Sequence, residues 1–284
     1  MRFKVANGGI KPGDKLENVQ RRVLKLATNG VKLVLLPGLA GLCLQSNSTS
    51  KPAHCFKEML LGHRQELPKL NACFLDFCSR LAKEAAIYLA CGTVLEPAGE
   101  GFRHQAHLFG PDGTHLGEQA QTHCSRTEQT WPLAPSHSLR VFETPLGKIG
   151  FVVGSDVFFP EVSRILALQG ADLVLAPAAI PAPYNPWRQV SAMWQEVQQN
   201  QFFSLENWLN SSFWGVQFQG RAPILGPCEI TPEETGYYTC GEGPEQIVEL
   251  DFTALQKIRR EYPLRSHLNA GLYAKFLPKK YAES

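Results

Sequence analysis

Two neighbouring stretches of this chain hold side chains able to do chemistry. Ser155 and Asp156 lie in the segment Gly150-Phe151-Val152-Val153-Gly154-Ser155-Asp156-Val157-Phe158-Phe159-Pro160-Glu161, and His123, Cys124 and Glu128 precede it. A serine nucleophile needs a histidine base within hydrogen-bond reach. A cysteine nucleophile needs a base or a lowered pKa. Two combinations follow: Ser155 with His123, or Cys124 with His123. Adjacent residues of a strand point to opposite faces, which counts against the second. Asp156 suits an acceptor for the backbone of a turn. Glu128, close to Trp131-Pro132, is either a site carboxylate or an exposed loop carboxylate.

Metal chemistry has little support in the linear spacing. The eight cysteines (Cys43, Cys55, Cys73, Cys78, Cys91, Cys124, Cys228 and Cys240) form no Cys-x-x-Cys pair. Several fall on a predicted helix or in an apolar run and read as buried thiols. The eight histidines are scattered; His104 and His107, three apart in a predicted strand, face opposite sides. No metal site and no cofactor is expected.

The elements that must position these groups alternate in type. Residues 1–8 read as a strand ending at Gly8-Gly9. Residues 14–29 read as a helix with Leu16, Val19, Val23, Leu26 and Ala27 at helical spacing, closed by Gly30. Residues 31–37 are a buried-type strand, and 39–52 a polar, Ser-rich loop. A second helix spans 65–86 and a strand 87–92. Strands are predicted over 101–110, 139–144 and 148–153, with turn chemistry at Pro111-Asp112-Gly113 and Pro145-Leu146-Gly147. A helix over 159–170, a strand over 171–176, a helix over 186–206 and a last helix over 251–262 with Asp251 as N-cap complete the reading. Strand–helix alternation at both ends makes an α/β protein with mixed sheets.

The chain resembles the nitrilase superfamily, the carbon–nitrogen hydrolases, from its first strand to about residue 262. That family's nucleophile segment, roughly G-x-x-x-C-x-D-x-x-F-P-E, is matched by Asp156, Phe159, Pro160 and Glu161, with Gly154 in the cysteine place. Arg164-Ile165-Leu166-Ala167 and Gly170-Ala171-Asp172 follow the family's next run. Phe109-Gly110-Pro111-Asp112-Gly113 resembles its strand and turn, and Gly117 to Cys124 its lysine stretch. Asn200, Asn207, Gly220 and Pro227 keep its closing spacing. The resemblance implies a four-layer α-β-β-α sandwich of two mixed sheets. It implies one domain over 1–262, with a tail over 263–284 packing on the domain or on a partner subunit.

The resemblance also implies what is missing. The family's chemistry uses a cysteine nucleophile, a glutamate general base and a lysine that stabilises the oxyanion. The matching positions here are Gly154, Gly38 and Gln121. A glycine cannot attack, and a glutamine donates a hydrogen bond without a positive charge. Removing the nucleophile from such a unit removes nearly all the rate. The expectation is a pseudoenzyme with a binding, regulatory or assembly role. The alternative is a divergent amide hydrolase rebuilt on Ser155 or Cys124. Glu128 stands near the place of a second glutamate found in many members, and the backbone of Ser155 in that of an oxyanion-hole amide. The space beside Gly38, Gln121 and Gly154 is expected either to collapse or to stay open as a pocket for a small amide or carboxylate. A homodimer or higher homo-oligomer is expected through residues 159–169 and 188–206.

Composition narrows the class further. A net charge of +2 with no basic run argues against a nucleic-acid partner. No apolar run approaches the ~20 residues of a membrane span, and the short, charged start is not expected to act as a signal peptide. A cytoplasmic protein without a membrane partner is expected.

Overall fold

A computed structural model describes residues 1–11, 13–45, 56–243 and 245–283. Its centre is two six-stranded mixed sheets lying face to face. The first runs β14-β1-β2-β3-β4-β5, from β1 (Arg2–Gly8), β2 (Val31–Leu35), β3 (Tyr88–Ala98), β4 (Gly101–Phe109), β5 (His115–Ala120) and β14 (Glu245–Asp251). The second runs β13-β12-β9-β8-β7-β6, from β6 (Val141–Thr144), β7 (Gly147–Phe151), β8 (Leu173–Ala178), β9 (Phe203–Trp208), β12 (Ile224–Leu225) and β13 (Tyr237–Thr239). A hairpin of β10 (Ser211–Phe213) and β11 (Val216–Phe218) stands apart.

Each sheet has three parallel strands at its centre, β1-β2-β3 and β7-β8-β9, flanked by antiparallel ones. The parallel pairs need crossovers, and helices supply them on the outer faces. α1 (Leu16–Thr28), α2 (Ala40–Gln45), α3 (Phe56–Gly62) and α4 (Leu67–Ala85) accompany the first sheet. α6 (Pro160–Leu168), α7 (Pro186–Gln189) and α8 (Gln195–Asn200) accompany the second, after the short α5 (Arg126–Thr130). α9 (Phe252–Glu261) and α10 (Ala270–Glu283) end the chain. The result is the α-β-β-α sandwich.

The buried apolar residues sort into the same layers. Val5, Leu33, Leu35, Ala106, Leu108, Phe151, Leu173, Leu175, Phe203 and Leu205 fill the space between the sheets. α1 buries Val19, Val23 and Leu26, and α4 buries Phe74, Cys78 and Leu81, under the first sheet. Val162, Leu166, Ala192, Met193 and Val197 do the same under the second. Two asparagines stitch the sheets together where the parallel strands end. Asn7 Nδ2 donates to the carbonyls of Glu206 and Ala222, each at 2.8 Å. Asn207 Nδ2 donates to those of Leu35 at 2.7 Å and Gly8 at 3.1 Å.

The structure departs from the sequence reading in places. Residues 40–45 are helical, where a loop was expected; the rest of that stretch, from residue 46, lies outside the described residues. β5 was not expected. The helix expected over 186–206 stops at Gln201, which is left-handed (φ +55), and Glu206 lies in β9. A π-helical turn over Val190–Trp194 joins α7 to α8. Asp251 caps α9, accepting from the amides of Thr253 and Ala254 at 2.9 and 3.2 Å. After α9 the tail makes a short turn, where Arg265 donates to the carbonyl of Ala167 at 2.6 Å. On α10 the side chains of Leu272, Tyr273, Phe276 and Leu277 are exposed.

Glu206 gives this arrangement a pH signature. The side chain is buried against Gln189, whose Nε2 lies 3.3 Å from Oε2, and burial pushes its carboxyl up to about 8. The unfolded carboxyl titrates near ~4.3. The folded state therefore keeps a proton that the unfolded state has lost, and this contribution to stability fades as pH rises through 8. Urea unfolding between pH 5 and 9 should show the wild type losing stability with pH relative to Glu206→Gln. Parallel curves for the two proteins would contradict the assignment.

Candidate functional site

The groups singled out in the sequence meet at one end of the sandwich. Gly38 follows β2, Gln121 follows β5, and Gly154 opens the 3-10 turn Gly154–Phe158 after β7. Parallel strands end here, and loops that leave such strands commonly carry function. Gly154 has φ +56, a left-handed conformation that favours glycine.

Neither glycine has vacant space beside it. A Cβ built on Gly38 would lie 2.6 Å from the carbonyl oxygen of Ala178, which is backbone and cannot turn aside. A Cβ on Gly154 would lie 2.5 Å from Gln121 Oε1 and 3.0 Å from His104 Nδ1. The volume next to Gly154 is filled by the Gln121 carboxamide.

That carboxamide is the middle of a buried hydrogen-bond chain. The amide of Leu39 donates to Thr93 Oγ1 at 2.6 Å, and Thr93 Oγ1 lies 2.5 Å from His104 Nε2. His104 Nδ1 lies 2.6 Å from Gln121 Oε1. Gln121 Nε2 donates to the carbonyl of His123 at 2.7 Å and to Glu128 Oε2 at 3.0 Å. The chemistry of each group assigns the protons. Gln121 Oε1 only accepts, so His104 carries its proton on Nδ1; Nε2 then accepts from the Thr93 hydroxyl. The ring is neutral in this pattern, and burial lowers its pKa in the same direction.

Glu128 is the other terminus. It sits at the third position of α5, whose N-cap Ser125 forms a reciprocal capping box with it. Its Oε2 accepts from the Ser125 amide at 2.8 Å, the Ser125 hydroxyl at 2.7 Å, the Ser155 hydroxyl at 2.5 Å and Gln121. Four donors on Oε2 hold the side chain in place. Glu128 is 4% exposed, which removes the reading of it as an exposed loop residue.

The pairings weighed for a rebuilt nucleophile take a different form. Ser155 is buried, and its hydroxyl meets Glu128 rather than a histidine. His123 turns instead to Asp156. Its Nδ1 lies 2.9 Å from Thr122 Oγ1 and 3.2 Å from Asp156 Oδ1, and its ring stacks on Phe159 at 4.1 Å. Asp156 also accepts from the backbone amides of Thr122 and His123, at 2.9 and 2.7 Å. Cys124 points elsewhere, its Sγ 3.8 Å from the carbonyl of Leu133. Burial, with Glu128 and Asp156 adding negative charge, pushes its thiol up to about 11. A thiol held there is protonated at neutral pH and a poor nucleophile.

Two members of the chain escaped the sequence reading. Thr93 carries no distinguishing motif. His104 had one signal: it shares a strand face with Phe102, Ala106 and Leu108, all buried. A histidine on an apolar face needs buried polar partners, and only the fold names them.

A cleft of about 370 Å3 opens beside this region, lined by Pro37, Lys11, Asn207, Trp208, Arg221 and Gly241 among others. Among the described residues no helix is long and apolar enough to cross a membrane.

Comparison with known proteins agrees with this architecture. The family model for carbon–nitrogen hydrolases matches residues 5–252. The omega-amidase of Danio rerio is 30% identical over 275 residues, covering 92% of this chain and 91% of the relative. The omega-amidase of Homo sapiens is 24% identical over 274 residues, covering 92% of each. Among solved structures, a carbon–nitrogen hydrolase from Helicobacter pylori superposes with a TM-score of 0.76 at 18% identity, covering 98% of this chain and 99% of its own. Nit3 of Saccharomyces cerevisiae, a nitrilase-superfamily member, gives 0.74 at 21% identity, covering 93% and 95%. With the family model spanning nearly the whole chain and the sandwich built as in those structures, the chain belongs to the carbon–nitrogen hydrolase family, within the nitrilase superfamily.

Proposed function

We propose that this family member is a pseudoenzyme: a carbon–nitrogen hydrolase frame that no longer hydrolyses amides or nitriles and has kept a binding or assembly role. One observation carries this reading. The Gln121 carboxamide occupies the space beside Gly154 where a nucleophile's side chain would start, and both its ends are hydrogen-bonded. The backbone of Ala178 closes the space at Gly38 in the same way. A general base at 38, a cation at 121 and a nucleophile at 154 are thus absent together, and what replaces them is a plug. The curated relatives named omega-amidases favour an amide as the ancestral substrate class. Ser155 and Cys124 remain the residues on which a rebuilt hydrolase would depend. The burial of Ser155 and the raised pKa of Cys124 weigh against both.

The retained roles have places on the surface. The cleft beside Pro37 presents Lys11 and Arg221, suited to a small carboxylate or amide, although Arg221 also pairs with Glu242 at 2.9 Å. Ile165 and Leu168 on α6 are exposed, and Trp187 on α7 is 78% exposed. Together with the apolar side chains of α10 they favour a homo-oligomer in which a second copy covers them.

Three outcomes test this reading. Purified protein given simple amides, nitriles and ureido acids should release ammonia no faster than a heat-killed control. Turnover abolished by Ser155→Ala or Cys124→Ala would replace the pseudoenzyme with the rebuilt hydrolase. Gln121→Ala, which strips partners from His104 and Glu128, should lower unfolding free energy by about 1–3 kcal/mol. An unchanged urea midpoint would mean that the side chain is no plug. Light scattering should give a dimer or larger assembly that Ile165→Glu combined with Leu168→Glu dissociates; a wild-type monomer would remove the assembly role.

A further inference from the structure

The hairpin of β4 and β5 brings together three side chains that no linear spacing joins. His107 lies directly opposite Glu118. The register then shifts between Leu108 and Phe109, so that Phe109 opposes His115 and Leu116 is the extra residue. Residues three apart in a regular strand face opposite sides. The bulge cancels that alternation and returns His115 to the face of Glu118 and His107. One ligand atom from each of the three lies within 4.8 Å of the others.

The separations within the group also match those between ligands of one metal ion. His107 Nδ1 and His115 Nε2 face each other at 3.1 Å. Two nitrogens bound at ~2.0–2.1 Å to one tetrahedral ion stand about 3.3 Å apart, so the pair already has the needed separation. Glu118 Oε2 is 3.8 Å from His115 Nε2, while its Oε1 is held 3.3 Å from Arg140 Nη2. His107 is 4% exposed, and its Nε2 has no hydrogen-bond partner among the described residues. A buried ring nitrogen without a partner costs free energy. Glu96 Oε1 lies 3.8 Å from that nitrogen, on the neighbouring strand β3. That is beyond hydrogen-bond distance, but a small rotation of the Glu96 side chain would give a metal-bound His107 the carboxylate partner that its second N–H needs.

We propose that His107, His115 and Glu118 form a site for one divalent transition-metal ion. His107 binds through Nδ1, His115 through Nε2 and Glu118 through Oε2; Glu96 orients the His107 ring through Nε2–H. Two imidazoles and one carboxylate suit Zn2+ and its neighbours more than Mg2+ or Ca2+. His115 is partly exposed, so the remaining coordination position faces solvent and takes water. The ion would clip β5, an edge strand of its sheet, to β4.

The test is a Zn2+ titration of chelator-treated full-length protein by calorimetry, with Co2+ absorption as the ligand readout. One equivalent of Zn2+ should bind. His115→Ala and Glu118→Gln, both at partly exposed positions, should each weaken binding at least tenfold with an unchanged far-UV circular dichroism spectrum. Glu96→Gln should weaken it about 10-fold or more through the orienting contact. The Co2+ form should show visible bands without a near-ultraviolet thiolate band. Among the described residues the exposed cysteines Cys73 and Cys240 are competing ligands, and Cys73→Ser combined with Cys240→Ser should leave the affinity intact. Absence of stoichiometric binding, full affinity in His115→Ala, or a thiolate band removed by the cysteine changes would overturn the proposal.

Discussion

The two sheets are held in register by amides that cross between them. Asn7 on β1 donates to backbone carbonyls beside β9, and Asn207 on β9 donates to carbonyls of the first sheet. The exchange is reciprocal, and both donors are buried. Apolar packing between sheets is tolerant of small slides, whereas a buried amide must meet its acceptor or lose about 1–3 kcal/mol. These contacts therefore set how closely the loops after β2 and β8 approach. The closeness of Gly38 to the Ala178 backbone follows from that approach, and with it the exclusion of any side chain at position 38.

The interior at this end is consequently polar without being hollow. Thr93, His104, Gln121, Glu128, Ser125 and Ser155 form one continuous network in which each donor has an acceptor of the right type. Such a network is stabilising when complete and costly when one member is lost. A lysine at position 121 would displace the acceptor that His104 needs. A cysteine at 154 would collide with the carboxamide and would need a left-handed backbone. The residues at 104, 121 and 154 thus support one another. A single Gln121→Lys or Gly154→Cys change would meet a packed, fully bonded interior.

Much of the frame was legible in the sequence. The apolar stripes of α1 and α4, the buried-type strand β2 and the Asp251 cap all follow from local spacing and local hydrogen bonding. Other parts were not. β5, His115-Leu-Gly-Glu-Gln-Ala, has no β-branched residue and contains a bulge, so neither propensity nor alternation marks it. The segment ending at Gln201 is rich in helix-forming glutamine and glutamate, and it stops without glycine or proline because the chain must turn into β9. Propensity is a weak prior, and tertiary context overrode it there.

By itself the sequence determined the α/β class, the core-facing stripes and the presence of Gly38, Gln121 and Gly154 where the family it resembles carries reactive groups. Those are statements about residue type and order, and they need no coordinates. Only the tertiary structure decided what occupies the space between those positions. That depended on Thr93, His104 and Glu128, drawn from two strands and a helix, and on the approach of one loop backbone to another. Likewise His107, His115 and Glu118 become one cluster only through a register shift. Contacts between residues distant in the chain are set by sheet register and side-chain direction, which local periodicity does not encode.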